Sequence, residues 1–174
     1  MNVFLTVDSE IGTAYFQRSR SIEEELRTQI YGVTNQGSFG LPFQIDILNQ
    51  HRLRAVFLVE ALCADAIGLD PLREVVDQVQ EHGQEVQLHL HTEWLPMIGK
   101  DLVGSRRGQS MKDFSEDDQV RLIERGLHNM QQCDVSGLSA FRAGNYGANR
   151  DTLRALKRQG LLFDTSYNRF CAGI

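Results

Sequence analysis

The chain predicts an α/β fold, a sheet of parallel strands that is either open or curled into an irregular, incomplete (β/α) barrel. Three observations carry this expectation. Short apolar runs rich in β-branched residues alternate with segments of helical period, the order of a parallel sheet. Acidic, imidazole and guanidinium side chains stand where those runs end, the position at which parallel α/β folds place their chemistry. The length of 174 residues fits one domain and falls short of the roughly 250 of a full eight-stranded barrel.

The elements follow in order. Val3 to Asp8 (VFLTVD) is a buried-strand run, and Ala55 to Glu60 (AVFLVE) repeats it. Glu85 to His91 (EVQLHLH) alternates, with Leu88 and Leu90 against Gln87, His89 and His91. Leu138 to Arg142 and Leu161 to Asp164 are two further strand candidates. Helices are expected near Ile22 to Ile30 and Leu41 to Gln50. Another runs from Pro71, at the first helical position after Asp70, to a stop at Gly83. Ser115 and Asp118 open a helix that reaches Cys133. Asn149 caps one that Gly160 ends. From Thr92 to Phe114 there is little periodicity, and a loop of that length following a polar cluster is expected to face a substrate.

Composition removes several function classes. With 41% hydrophobic and 24% charged residues, neither disorder nor a fibrous repeat is expected. Eighteen basic against 23 acidic residues give a net charge of −5, which opposes nucleic-acid binding through a general positive field. The local exception, Lys100 to Lys112 with Arg106 and Arg107, reads as a solvated surface loop. No apolar run is long enough to span a bilayer, and MNVFLTVDSE lacks the features of a signal peptide. Cys63, Cys133 and Cys171 are widely spaced and odd in number, so reduced thiols and a cytoplasmic location are expected.

Strand alternation then assembles a site. Asp8 ends the first strand, and Glu10 shares its face if the chain stays extended. His89 and His91 point the same way from the third strand, with Glu93 just beyond, and Arg142 ends the fourth. Carboxylates and imidazoles at one rim suit a divalent metal with nitrogen and oxygen ligands.

Three stretches carry a family resemblance: Leu5-Thr6-Val7-Asp8-Ser9-Glu10; Gly83 through His89-Leu90-His91-Thr92-Glu93-Trp94; and Phe141-Arg142-Ala143-Gly144-Asn145-Tyr146-Gly147. In this order they resemble the polysaccharide deacetylases, the NodB-homology group of carbohydrate esterases. The helix ending at Gln50 before Arg54 to Val59, and the helix, Gly160 and Phe163-Asp164-Thr165-Ser166, extend the likeness over nearly the whole chain. The resemblance implies an irregular barrel, a divalent metal (zinc first, with nickel, cobalt or manganese as alternatives), and removal of an acetyl group from an N- or O-acetylated sugar of a polysaccharide or its precursor.

Carried over residue by residue, the first motif, T-F-D-D-G-like, makes Asp8 the general base. Ser9 stands at the metal-binding second position, and Glu10, one residue later, is the replacement ligand. In the second motif, H-[ST]-x-x-H, His89 matches the first histidine. Glu93 holds the place of the second, and His91 competes with it through strand geometry. Arg142 matches the arginine that orients the base. Tyr146 corresponds to the backbone N–H that stabilises the oxyanion, and Asn145 and Trp94 to the lining of the sugar site. The family's final L-x-H acid has no counterpart after Arg142, which leaves His91 or Glu93 to protonate the leaving group. With five strand units and no closing strands, the chain is expected to be a portion of a longer enzyme. The other readings are hydrolysis of another small amide and sugar binding without catalysis.

Overall fold

The computed structural model describes residues 3–16, 19–98, 102–104 and 108–168. Five parallel strands form the sheet: β1 (Leu5–Ser9), β4 (Ala55–Glu60), β5 (Glu85–Leu90), β6 (Ala140–Ala143) and β7 (Phe163–Asp164), paired in that order. Between β1 and β4 lie α1 (Ile22–Glu25), a π-helical turn (Leu26–Ile30), a small hairpin of β2 (Val33–Thr34) and β3 (Gly37–Ser38), and α2 (Leu41–Gln50). Next come α3 (Ala64–Ile67) and α4 (Leu69–Glu81) before β5, α5 (Glu116–Gln132) before β6, and α6 (Arg150–Arg158) before β7. No helix among the described residues is long and apolar enough to cross a membrane.

All five expected strands are present, with ends shifted by one or two residues. The short hairpin and α3 escape any reading of periodicity, because elements this short have no period to read. Pro71 is not the first helical position. Gly68, at φ 96°, turns the chain into α4 and leaves Pro71 within the first turn, where amide hydrogens have no helical partner. Ser115 accepts from the Asp118 amide and Asn149 from that of Thr152, as their positions imply. Cys63 and Cys133 are buried free thiols. Cys171, Lys100, Arg106 and Arg107 lie outside the described residues.

The two faces of the sheet differ in kind. Phe57, Val59, Leu88, Leu90 and Phe141 join the core cluster, together with Val75, Val76 and Val79 of α4 and Leu122 and Ile123 of α5. Leu58, equally buried, lies outside that cluster. It faces the other side, in register with Asp8 and Gln87. Gln87 accepts from the amides of Ser139 and Ala140, both at 2.8 Å, and so ties β5 to the start of β6.

The parallel registers stack the polar residues in one row. Glu60 pairs with His89, and His89 with Arg142. Glu10 and Thr165, one residue past β1 and β7, extend that row at either side. Arg142 also bridges to Asp8 at 2.5 Å and to the Thr6 hydroxyl at 3.0 Å. In a flat sheet β1 and β6 would be roughly 14 Å apart, three strand spacings. The sheet therefore curls strongly, and its concave side is the interior of a partial barrel.

Helix α5 approaches β5 closely at Gly126. A Cβ there would stand 2.6 Å from Leu90 Cδ2 and 3.1 Å from Leu88 Cδ1, and both leucines are fully buried. Gly126→Val is expected to lower stability by about 1–3 kcal/mol through overpacking, read as a shifted urea midpoint. Gly126→Ala should cost less, because helix propensity offsets part of the clash.

Candidate metal centre and active site

The end of β5 sets the site. His91 follows the strand in an extended conformation (φ −104°, ψ 113°), so the alternation continues and His89 and His91 project together. Their rings meet edge to face at 4.8 Å. Glu10 reaches both from across the concave face: its Oε2 lies 3.0 Å from His89 Nε2 and 2.8 Å from His91 Nε2. These three donor atoms all fall within 4.8 Å of one another.

Each imidazole is held from behind. His89 Nδ1 is 2.9 Å from the Arg142 carbonyl oxygen, and His91 Nδ1 is 3.0 Å from Glu93 Oε2. Asn145 Nδ2 in turn donates to the other Glu93 oxygen. All four ring nitrogens thus face acceptors, yet two neutral imidazoles carry only two N–H groups. The Nδ1 protons satisfy the outer acceptors and leave both Nε2 lone pairs aimed at the Glu10 carboxylate. A divalent cation between Glu10, His89 and His91 would resolve that conflict, with outer partners of the kind that orient metal-bound histidines. A two-imidazole, one-carboxylate set suits zinc or a similar transition ion at about 2.0–2.2 Å. The residues fit the group.

Without such an ion the cluster must hold protons instead. Burial opposes charge on Glu10, but hydrogen bonds to His89 and His91 outweigh it and hold the carboxyl below the ordinary range. Burial likewise opposes charge on His91, and its bonds to Glu10 and Glu93 push the imidazole up to about 10. Glu93, partly desolvated, is lowered by the His91 contact.

Asp8 stands beside this cluster rather than in it. Arg142 Nη1 donates to Asp8, Nη2 to Thr6, and Nε to the Thr165 hydroxyl at 3.2 Å. The guanidinium is thus fixed on three sides and fixes the carboxylate. The Tyr146 ring lies over it, with Arg142 Cζ 5.6 Å from the ring centroid. Asn145 and Tyr146 both have positive φ, 54° and 53°, uncommon for residues other than glycine and a local strain often found at binding sites.

Two sequence expectations change on this geometry. Glu93 is not a member of the donor triad: it bonds to His91, and strand alternation wins over formal motif spacing. Trp94 is 0% exposed and packs edge to face on Phe16 at 5.4 Å, so its face belongs to the core and offers nothing to a sugar. Ser9 is buried in register with Val59 and turns toward the helices, away from the rim that Glu10 occupies.

Other residues at the site carry no motif. Glu60 is 1% exposed; its Oε1 accepts from Leu62 N at 2.7 Å and His91 N at 3.4 Å, while Oε2 has no partner among the described residues. Burial pushes its carboxyl up to about 8, against the opposing pull of His91. Gln29, in the π-helical turn, accepts from Gly12 N at 2.8 Å and donates to the buried Glu25. It thereby anchors the chain just past Glu10. An acid ending a strand is the signal that could have found Glu60; nothing in the sequence marks Gln29.

The fold is that of known deacetylases. Neither a protein-family model nor a curated protein matches the sequence. Among solved structures, a CE4 family pseudoenzyme from Bacillus anthracis matches in a mutant form with restored enzymatic activity. The TM-score is 0.57 at 13% identity, over 93% of this chain and 43% of that one. A peptidoglycan N-acetylglucosamine deacetylase matches with a TM-score of 0.53 at 13% identity, over 92% of this chain and 54% of that one. The chain spans about half the length of these structures. The resemblance to polysaccharide deacetylases seen in the sequence is thus matched by the fold, a mixed α/β architecture with part of a NodB-like barrel.

Two measurements check the metal centre. The purified protein should take up one divalent ion, and Glu10→Gln or His89→Ala should each abolish stoichiometric uptake, measured by calorimetric titration with Zn or Co. A Cβ on Gly144 would lie 2.6 Å from His91 Nδ1, so Gly144→Ala should displace that ring. A weakening of about 10–100-fold is expected, as for loss of an outer-shell partner.

Proposed function

We propose that the protein is a metal-dependent hydrolase that removes an acetyl group from an N- or O-acetylated sugar. The observation that carries this reading is the juxtaposition of a two-histidine, one-carboxylate donor set with an arginine-fixed aspartate on the concave side of a deacetylase-type sheet. A divalent ion held by Glu10, His89 and His91 would supply a Lewis acid that polarises the acetyl carbonyl and acidifies water.

The chain's own groups then divide the remaining work. Asp8, aimed by the Arg142 guanidinium, takes a proton from the attacking water. The water oxygen bonds to the acetyl carbon while the carbonyl electrons move onto its oxygen. The Tyr146 backbone N–H donates to that oxyanion. Collapse breaks the bond from carbon to the sugar nitrogen or oxygen. Asp8 then returns its proton to the leaving group, completing hydrolysis. Glu93 and His91 were the expected acids, but Glu93 is taken up by His91 and Asn145, and His91 by the donor triad, which leaves Asp8 for both transfers. Asn145 borders the substrate through its bond to Glu93.

One observation favours a second reading, sugar binding without turnover: Ser9 stands where the family has a metal-binding acid. Release of acetate from N-acetylated chito-oligosaccharides by the metal-loaded protein separates the two. Turnover is expected, with Asp8→Asn lowering kcat at least about 100-fold while metal content is unchanged. Arg142→Lys should also lower kcat, because a single ammonium cannot hold Asp8, Thr6 and Thr165 together. Oligosaccharide binding with no acetate release would establish the second reading instead.

A further inference from the structure

The substrate-facing loop after β5 leads away from the metal centre to a second feature. A cleft of about 370 Å³ lies between that loop, the start of α6 and the end of β7, within the size range of small-ligand sites. Tyr146 belongs to both places, since it covers Arg142 and also lines the cleft. Tyr146 therefore stands between the cleft and the Arg142–Asp8 pair.

The lining is cationic and aromatic. Lys112 and Arg150 both face the cleft, and among the described residues neither has a carboxylate within ion-pair distance. On the same helix Arg154 is paired with Asp151, and Arg158 with Glu116 and Asp117. Lys112 is half-buried, and its backbone is pinned at both polar groups: its N–H donates to Gly147 O at 2.8 Å and its carbonyl accepts from Asn149 at 3.3 Å. The one acidic lining residue, Asp164, already accepts from the Ser166 amide and hydroxyl. Tyr167 is 78% exposed at the cleft, and Tyr146 37%, offering rings on which a pyranose can stack. Among the described residues, two cations without a carboxylate partner against the single carboxylate of Asp164 leave the lining net positive in a chain of net charge −5, a local reversal that suits an anion.

We propose that this cleft is a subsite for the anionic group of an acidic glycan, a sugar carboxylate or phosphate adjoining the acetylated residue that enters the metal centre. The subsite rests on the deacetylase reading for its neighbour but makes its own claim about charge. Lys112 and Arg150 would give the anion charge-assisted hydrogen bonds.

Calorimetric titration tests it with three probes: neutral tetra-N-acetylchitotetraose, a tetrasaccharide alternating N-acetylglucosamine with glucuronate, and N-acetylglucosamine 6-phosphate. At least one anionic probe should bind about tenfold more tightly than the neutral tetrasaccharide. That preference should fall as salt rises and vanish in K112Q/R150Q, with each single variant losing part of it and all keeping the parent melting temperature. Preference for the uronate names a carboxylate ligand, and preference for the phosphate names a phosphorylated one. No preference for either anion, a preference untouched by salt, or one that survives K112Q/R150Q would overturn the proposal. Acetate release from tetra-N-acetylchitotetraose is measured in parallel. Its absence would count against the deacetylase reading and leave the binding comparison to decide the subsite.

Discussion

Two imidazoles whose four ring nitrogens all face acceptors cannot be satisfied by neutral protonation, and the rim is organised around that constraint. Positive charge must enter the space between Glu10, His89 and His91, as protons or as a cation. The carboxylate that receives it comes from the far edge of the sheet, while the groups behind the rings come from the strand beside them and the turn beyond. Glu93 and the Arg142 carbonyl hold the outer nitrogens, so the inner lone pairs have one direction left. The same backbone that offers this carbonyl carries the guanidinium that grips Asp8. The candidate donor set and Asp8 are thus both positioned by one residue acting through two different atoms.

Curvature is what allows one residue to do this. Arg142 reaches Asp8 and Thr6 across two intervening strands, and their separation is closed by the bend of the sheet. The convex face is apolar and is covered by α4 and α5, with Gly126 letting the helix sit close. The concave face keeps a row of polar groups from Glu10 to Thr165. Helix packing on one side and charge pairing on the other favour the same bend.

Much of this was legible in the sequence, and the division follows the range of each interaction. The parallel order, the strand positions and the shared face of His89 and His91 are consequences of local period, which one strand carries alone. Asp8 and Arg142 stood out as polar ends of apolar runs. What periodicity could not supply was register between strands, and it is register that puts Glu60 beside His89 and Thr165 beside Arg142. Nor could it say that Phe16, from the first loop, would close over Trp94 and remove it from the surface. Gln29 matters because a π-helical turn aims it at Gly12, a backbone event with no signature in residue type. His91, rather than Glu93, shares a face with His89 and lies against Glu10, since the chain stays extended one residue past β5.

The salt bridge between Asp8 and Arg142 joins residues 134 apart in sequence, and Glu10 meets His89 across 79. Contacts this distant form only after a large loss of chain entropy, which places them late in folding. Helices α4 and α5 and the β4–β5 pair can condense from nearer neighbours. Strand β1 pairs only with β4 among the described strands; it carries Asp8 and leads directly into Glu10. Assembly of the rim is therefore tied to the docking of an edge strand, so any condition that loosens β1 would disperse these groups while most of the helical structure persists.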